Sequence, residues 1–160
     1  MQLPSHAYVP GQTARHDPAF FAGFHDSVQA GMTWDELSQT IAWRGGWFFF
    51  ENGYHWEAHE VLEPVWMATA PNSAERHLVQ ALIQTANAAL KQRMGRPNAV
   101  RKLCDIAETH VARCGTVQCE IMAQDLARIS NEIGLLRAGN QIDMHYNSIY
   151  CIQSPKIAKF

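Results

Sequence analysis

Apolar positions recur along this chain at helical spacing, and Gly, Pro and Asn divide them into blocks. The first block follows Asp17-Pro18, which has the form of an N-cap with proline at the first helical position. A short helix from there to about Gln29 would turn Phe20, Phe21, Phe24 and Val28 to one side, and Gly31 would end it. Thr33 and Glu36 have the spacing of a capping box. The helix they open would carry Trp34, Leu37, Ile41, Trp47 and Phe48 inward, with a weak point or kink at Gly45-Gly46 and a stop at Asn52-Gly53. The pattern then predicts helices over about 54–67, 74–94, 97–115 and 117–137. Pro71 and Ser73 mark a turn and a new N-cap, and Gly95 and Gly139 act as stops. No stretch alternates as a strand would, and no segment repeats at a fixed period. The expected fold is all-α, a compact bundle of five or six mostly antiparallel helices. Residues 1–16 read as an irregular N-terminal arm, 17–139 as the helical domain, and 140–160 as an irregular C-terminal tail.

Two of these helices carry unusual polar stripes. On a wheel of the 54–67 helix, Ala58, Val61, Leu62 and Val65 form an apolar arc. His55, His59, Glu63 and Trp66 border that arc, Glu57 points well away from it, and Glu60 lies between. Pro64 cannot donate to the carbonyl of Glu60, so a kink or early end is expected there. The 74–94 helix is apolar around most of its girth, through Leu78, Val79, Leu82, Ile83, Ala86 and Leu90, and should be central. Gln80, Gln84, Asn87 and Lys91 nevertheless share one narrow stripe of it. A buried amide without a partner costs about 1–3 kcal/mol. The stripe needs polar company, and the one holding His59 and Glu63 is nearest in sequence. The two stripes are therefore expected to face each other and enclose a polar pocket.

Composition narrows the function classes. The chain has 160 residues, of which 47% are hydrophobic, enough for one domain with a real core. Its net charge is −2 and no long Lys/Arg run appears, so neither a nucleic acid nor an anionic membrane is an expected partner. No apolar run approaches the roughly 18 residues of a spanning helix, and no secretory signal is visible. The four cysteines, Cys104, Cys114, Cys119 and Cys151, include no CxxC pair. That usage fits a reducing cytoplasm and idle or buried thiols better than a zinc site.

Candidate chemistry is concentrated in Tyr54-His-Trp-Glu-Ala-His-Glu-Val-Leu-Glu-Pro-Val-Trp66. His59 and Glu63 are four residues apart, which suits two ligands of one divalent ion, or a carboxylate orienting an imidazole. With a metal there, Glu60 would assist, and Glu57 or another carboxylate would move protons. Trp56, Gln80, Gln84, Asn87 and Lys91 would line the pocket, whether for a small ligand or a partner helix. The structural alternative carries equal weight for His59 and Glu63, since buried polar networks often only fix register. Taken alone, Glu57 and Glu60 read as solvated helix charges. His6, His16, His25, His77, His110 and His145 form no visible constellation.

The spacing of Asn52, Trp56-Glu57-Ala58-His59-Glu60, Glu63 and Trp66, followed by Leu78-Val-Gln80 and Gln84 and by Gly95 and Ala99, resembles the signature of the domain of unknown function 309 family. The resemblance covers about residues 45–115. It implies a small all-helical bundle, and members are sometimes labelled predicted metal-dependent hydrolases on the strength of the His/Glu motif. Carried over by position, the motif's polar residues are Glu57, His59, Glu60, Glu63, Gln80 and Gln84. Ala81 stands where the family usually has glycine, and Lys91 where many members have histidine. A lysine cannot replace a neutral imidazole as a ligand at neutral pH, so a Glu63–Lys91 ion pair becomes an alternative. Three readings stay open: a metal-dependent hydrolase using one divalent ion, a non-enzymatic module binding a small ligand or partner, and a structural homodimer with the aromatic 43–50 segment and the termini at its interface.

Overall fold

A computed structural model of the chain describes residues 1–115 and 120–139. Among them are a 3-10 turn, Pro18–Phe21, and seven helices: α1 (Ala22–Asp26), α2 (Trp34–Gln39), α3 (Ile41–Glu51), α4 (His55–Ala68), α5 (Ala74–Arg93), α6 (Pro97–Arg113) and α7 (Glu120–Arg137). The fold is an all-α bundle. The expected start of the last helix at Val117, the C-terminal tail 140–160, Cys119, Cys151 and His145 lie outside the described residues.

The boundaries follow local chemistry. The Asp17 side chain accepts from the amide of Ala19 at the start of the 3-10 turn. Thr33 and Glu36 form the expected reciprocal capping box at α2. Ser73 caps α5 by accepting from the Arg76 amide. Gly53 takes a left-handed φ of 79°, and the Tyr54 amide reaches back to the Phe49 carbonyl, which ends α3 and turns the chain into α4.

Two boundaries differ from expectation. The helix opened at Thr33 does not run on to Phe50. It breaks at Thr40, whose ψ of 152° is extended and whose hydroxyl donates to the Leu37 carbonyl and accepts from the Trp43 amide, closing one helix and capping the next. The break resets the helical phase, so Ile41 turns outward instead of inward and is 46% exposed. Gly45-Gly46 does not interrupt α3. Instead it lets neighbours approach: a Cβ on Gly45 would meet the Phe24 ring, and one on Gly46 would collide with Leu62. Pro64, for its part, does not end α4 early. The carbonyl it leaves without an intrahelical donor, that of Glu60, receives the Nε2 of His25 at 3.3 Å.

The α5 helix is the central rod. It packs against α4, α6 and α7, and α3 packs on the far side of α4. Turns of residues 52–54, 69–73 and 94–96 join these consecutive neighbours. Leu78, Val79, Ala81, Leu82, Ala86 and Ala88 of α5 are fully buried, as are Ala58, Val61, Leu62 and Val65 of α4, the arc expected from the wheel. Trp43, Trp47, Phe49 and Phe50 are core residues as well, so the 43–50 segment is not an exposed interface. No helix among the described residues is long and apolar enough to cross a membrane.

Candidate functional site

The motif helix α4 presents its polar residues on two sides. One side meets α5, where His59 Nδ1 donates to Asn87 Oδ1 across 2.9 Å, so the two polar stripes do touch. In a neutral ring, a proton on Nδ1 leaves the lone pair on Nε2. Gln80, Gln84, Asn87 and Lys91 of the α5 stripe are all partly buried. Lys91 Nζ lies 3.9 Å from the sulfur of Met94, and among the described residues no ion pair joins it to Glu63. Glu63 itself is exposed, on the outer flank of the helix. Glu60 is partly buried. Burial pushes its carboxyl above the usual range and Glu63 adds to that, while His59, Arg15 and His25 pull the other way.

The other side meets the N-terminal arm. Glu57, expected to point away into solvent, is instead completely buried. Its Oε1 accepts the Tyr8 amide and the Nε2 of His16, each at 2.6 Å. At 100° per residue Glu57 lies beside Val61, on the edge of the apolar arc and not well away from it. What the wheel lacked was the arm, which covers that side. The rest of the arm is fastened nearby. Tyr54 donates its hydroxyl to the Pro4 carbonyl at 2.9 Å, and Val9 is buried. Trp56 is the platform: the Tyr8 ring meets it edge-on at 4.8 Å, Phe21 edge-on at 5.6 Å, and the Arg15 guanidinium lies 5.3 Å from its centroid.

Two polar atoms here have no hydrogen-bond partner: Oε2 of Glu57 and Nδ1 of His55. His55 is buried beside Phe50, and burial together with the Arg93 charge pushes its imidazole down to about 3. It is neutral at physiological pH. At the far end of α4, Arg76 stacks 4.1 Å from the Trp66 centroid and donates to the carbonyls of Trp66 and Thr69. Trp66 therefore helps close the helix end.

Sequence reasoning missed Tyr8, Arg15 and His16, because the arm has no periodicity to connect it with α4. It also missed the pairing of His77 on α5 with His110 on α6, whose Nδ1 atoms lie 3.0 Å apart. His25 was read as ordinary, yet it answers the Pro64 defect. As a metal centre the motif is incomplete: among the described residues no three His, Cys, Asp or Glu side chains converge on one point. A cavity elsewhere, lined by Gln92, Arg96, Pro97, Val100 and Arg137 among others, involves none of the motif's polar residues.

No curated protein and no solved structure matches the chain. A family model described as "Domain of unknown function (DUF309)" matches residues 43–103, from α3 through the first half of α6.

Proposed function

We propose that this chain is a non-enzymatic helical module whose motif face docks an extended peptide segment, the chain's own N-terminal arm being its occupant here. The observation that carries this reading is Glu57, a fully buried carboxylate that accepts from a backbone amide and an imidazole of the arm. The surrounding contacts are those of peptide recognition. Tyr54 reads a backbone carbonyl, Glu57 a backbone amide, and Trp56 a cation and an aromatic ring. The test is exchange in trans. A peptide of residues 1–17 should bind full-length chain carrying His16→Ala more tightly than it binds wild type, and a Glu57→Ala change should abolish that binding. Failure of the peptide to bind either chain would remove the reading.

A second reading keeps the hydrolase. His59 and Glu63 would hold one divalent ion, with Glu60 and Glu57 handling protons. The raised carboxyl of Glu60 and the orientation of His59 by Asn87 favour it. A catalytic zinc usually has three protein ligands, and the third would have to come from a rearranged side chain. Elemental analysis of purified protein, with and without His59→Ala, decides it: stoichiometric metal lost with the imidazole supports the hydrolase, and metal-free wild type removes it. A homodimer and a small-molecule ligand stay tied to whichever reading holds, through light scattering and ligand-induced thermal shifts.

A further inference from the structure

We propose that His77 and His110 form a two-imidazole site for a borderline transition-metal cation such as Zn²⁺, bridging α5 and α6. The two Nδ1 atoms lie 3.0 Å apart, with ring centroids at 5.2 Å and planes inclined by 39°. The rings come from different helices, 33 positions apart, so no turn of one helix forces them together. Both are partly buried, and each keeps some solvent access.

The distance suits a shared ion. Two Zn–N bonds of about 2.05 Å at a tetrahedral angle place their nitrogens about 3.3 Å apart. The rings would need to part by only a few tenths of an ångström, a small side-chain rotation. The charge state of His110 also suits it. Burial, then His77 and Arg113, hold the His110 imidazole below its usual range, so the neutral form with a lone pair prevails. In the hydrogen-bonded pair one ring donates Nδ1–H to the other. When a cation takes both Nδ1 lone pairs, that donor ring carries its proton on Nε2 instead. Starting from two neutral rings, the proton moves within the donor ring, the protein gains the charge of the ion, and no proton is released.

Two protein ligands leave room for two waters. Cys114 lies one turn beyond His110, with its sulfur 3.4 Å from the His110 carbonyl and 3.5 Å from that of Ala74. Burial pushes that thiol up to about 11, so the imidazoles are the ready donors and the sulfur is not. Arg113 adds positive charge near His110, and Glu75, which acts on Cys114, supplies an opposing one.

The experiment titrates ZnCl₂ into the full chain by calorimetry. One zinc per chain is expected, with binding lost in His77→Ala and in His110→Ala and retained in His59→Ala. His77→Gln and His110→Gln serve as folded controls if an alanine variant loses its helical circular dichroism. In long-range ¹H–¹⁵N spectra, zinc should move the donor ring from the Nδ1–H to the Nε2–H tautomer, so that both rings then carry the proton on Nε2. Several outcomes overturn the proposal: no stoichiometric binding, binding that survives both substitutions, binding abolished by His59→Ala, or unchanged tautomers. The last would leave only an interhelical hydrogen bond.

Discussion

Nε2 of His16 lies 2.6 Å from Oε1 of Glu57, with 41 positions of chain between them. The contact joins an arm without helical order to the fully buried acid of the motif helix. Removing one partner of a buried hydrogen bond leaves the other short of a partner, at a cost of about 1–3 kcal/mol. His16→Ala should therefore destabilise the whole domain by roughly that amount, although His16 lies outside the helices. The Tyr8 amide should lose protection from hydrogen exchange in the same variant. Chemical denaturation and exchange mass spectrometry would check both. An arm that detaches with no change in global stability would show that the pair is only a surface contact.

His55 and Asp125 should pull the acid stability of this protein in opposite directions. The unfolded imidazole takes up a proton as the pH falls through 6.5, whereas the buried one, held at about 3, does not. Between those values the unfolded chain binds more protons, so acid weakens the fold, by up to about 1.4 kcal/mol per pH unit. Asp125 behaves in reverse. Burial raises it from 3.8 to about 6, against the pull of Arg128, so between those values the folded state holds the extra proton. Acidification from pH 6 to 4 thus strengthens the fold through Asp125. Urea melts across pH 3–7 would separate the two. His55→Gln should flatten the acid loss, and Asp125→Asn should steepen it between pH 4 and 6.

The helices were legible because their signals are local. Thr33 with Glu36, Ser73, Asn52-Gly53 and Gly95 each act within one turn of themselves. The central place of α5 followed from its apolar girth alone. The site was legible only in part. Placing His59 opposite the α5 stripe needed two helices already in register, and the Asn87 contact fits it. Glu57 was misread because it sits at the edge of the apolar arc, beside Val61, and a wheel does not show what covers that flank. The cover comes from residues 4–16, whose backbone is read by Tyr54 and Glu57, and backbone groups leave no mark in sequence. Thr40 was hidden for a related reason: its hydroxyl competes with helix hydrogen bonds only once the neighbouring turns exist.

Cys104 and Cys114 should be slow to react with thiol reagents. Both are buried and unpaired, and desolvation is the largest influence raising each thiol, Cys114 to about 11. The thiolate is the reactive form, so little of it is present at pH 8. Iodoacetamide labelling followed by peptide mapping should show these two positions modified only after denaturation. Fast labelling of Cys104 in the native protein would mean that the α6 face opens readily.

Gly46 and Leu62 should behave as one packing unit. A Cβ on Gly46 would collide with the Leu62 side chain, and Leu62 is fully buried. In an exposed helix Gly→Ala would gain up to about 1 kcal/mol. Here overpacking, at about 1–3 kcal/mol, outweighs that gain, so Gly46→Ala should destabilise. Leu62→Ala alone should cost about 2–5 kcal/mol through the cavity it leaves. The double variant tests whether the collision is the cause, because a shortened residue 62 gives the new methyl group somewhere to sit. Gly46→Ala should then be neutral or stabilising in the Leu62→Ala background, a coupling of at least about 1 kcal/mol in a double-mutant cycle. If the two losses simply add, α3 and α4 are not held apart by that side chain. The glycine would then have to be needed for some other contact on α3.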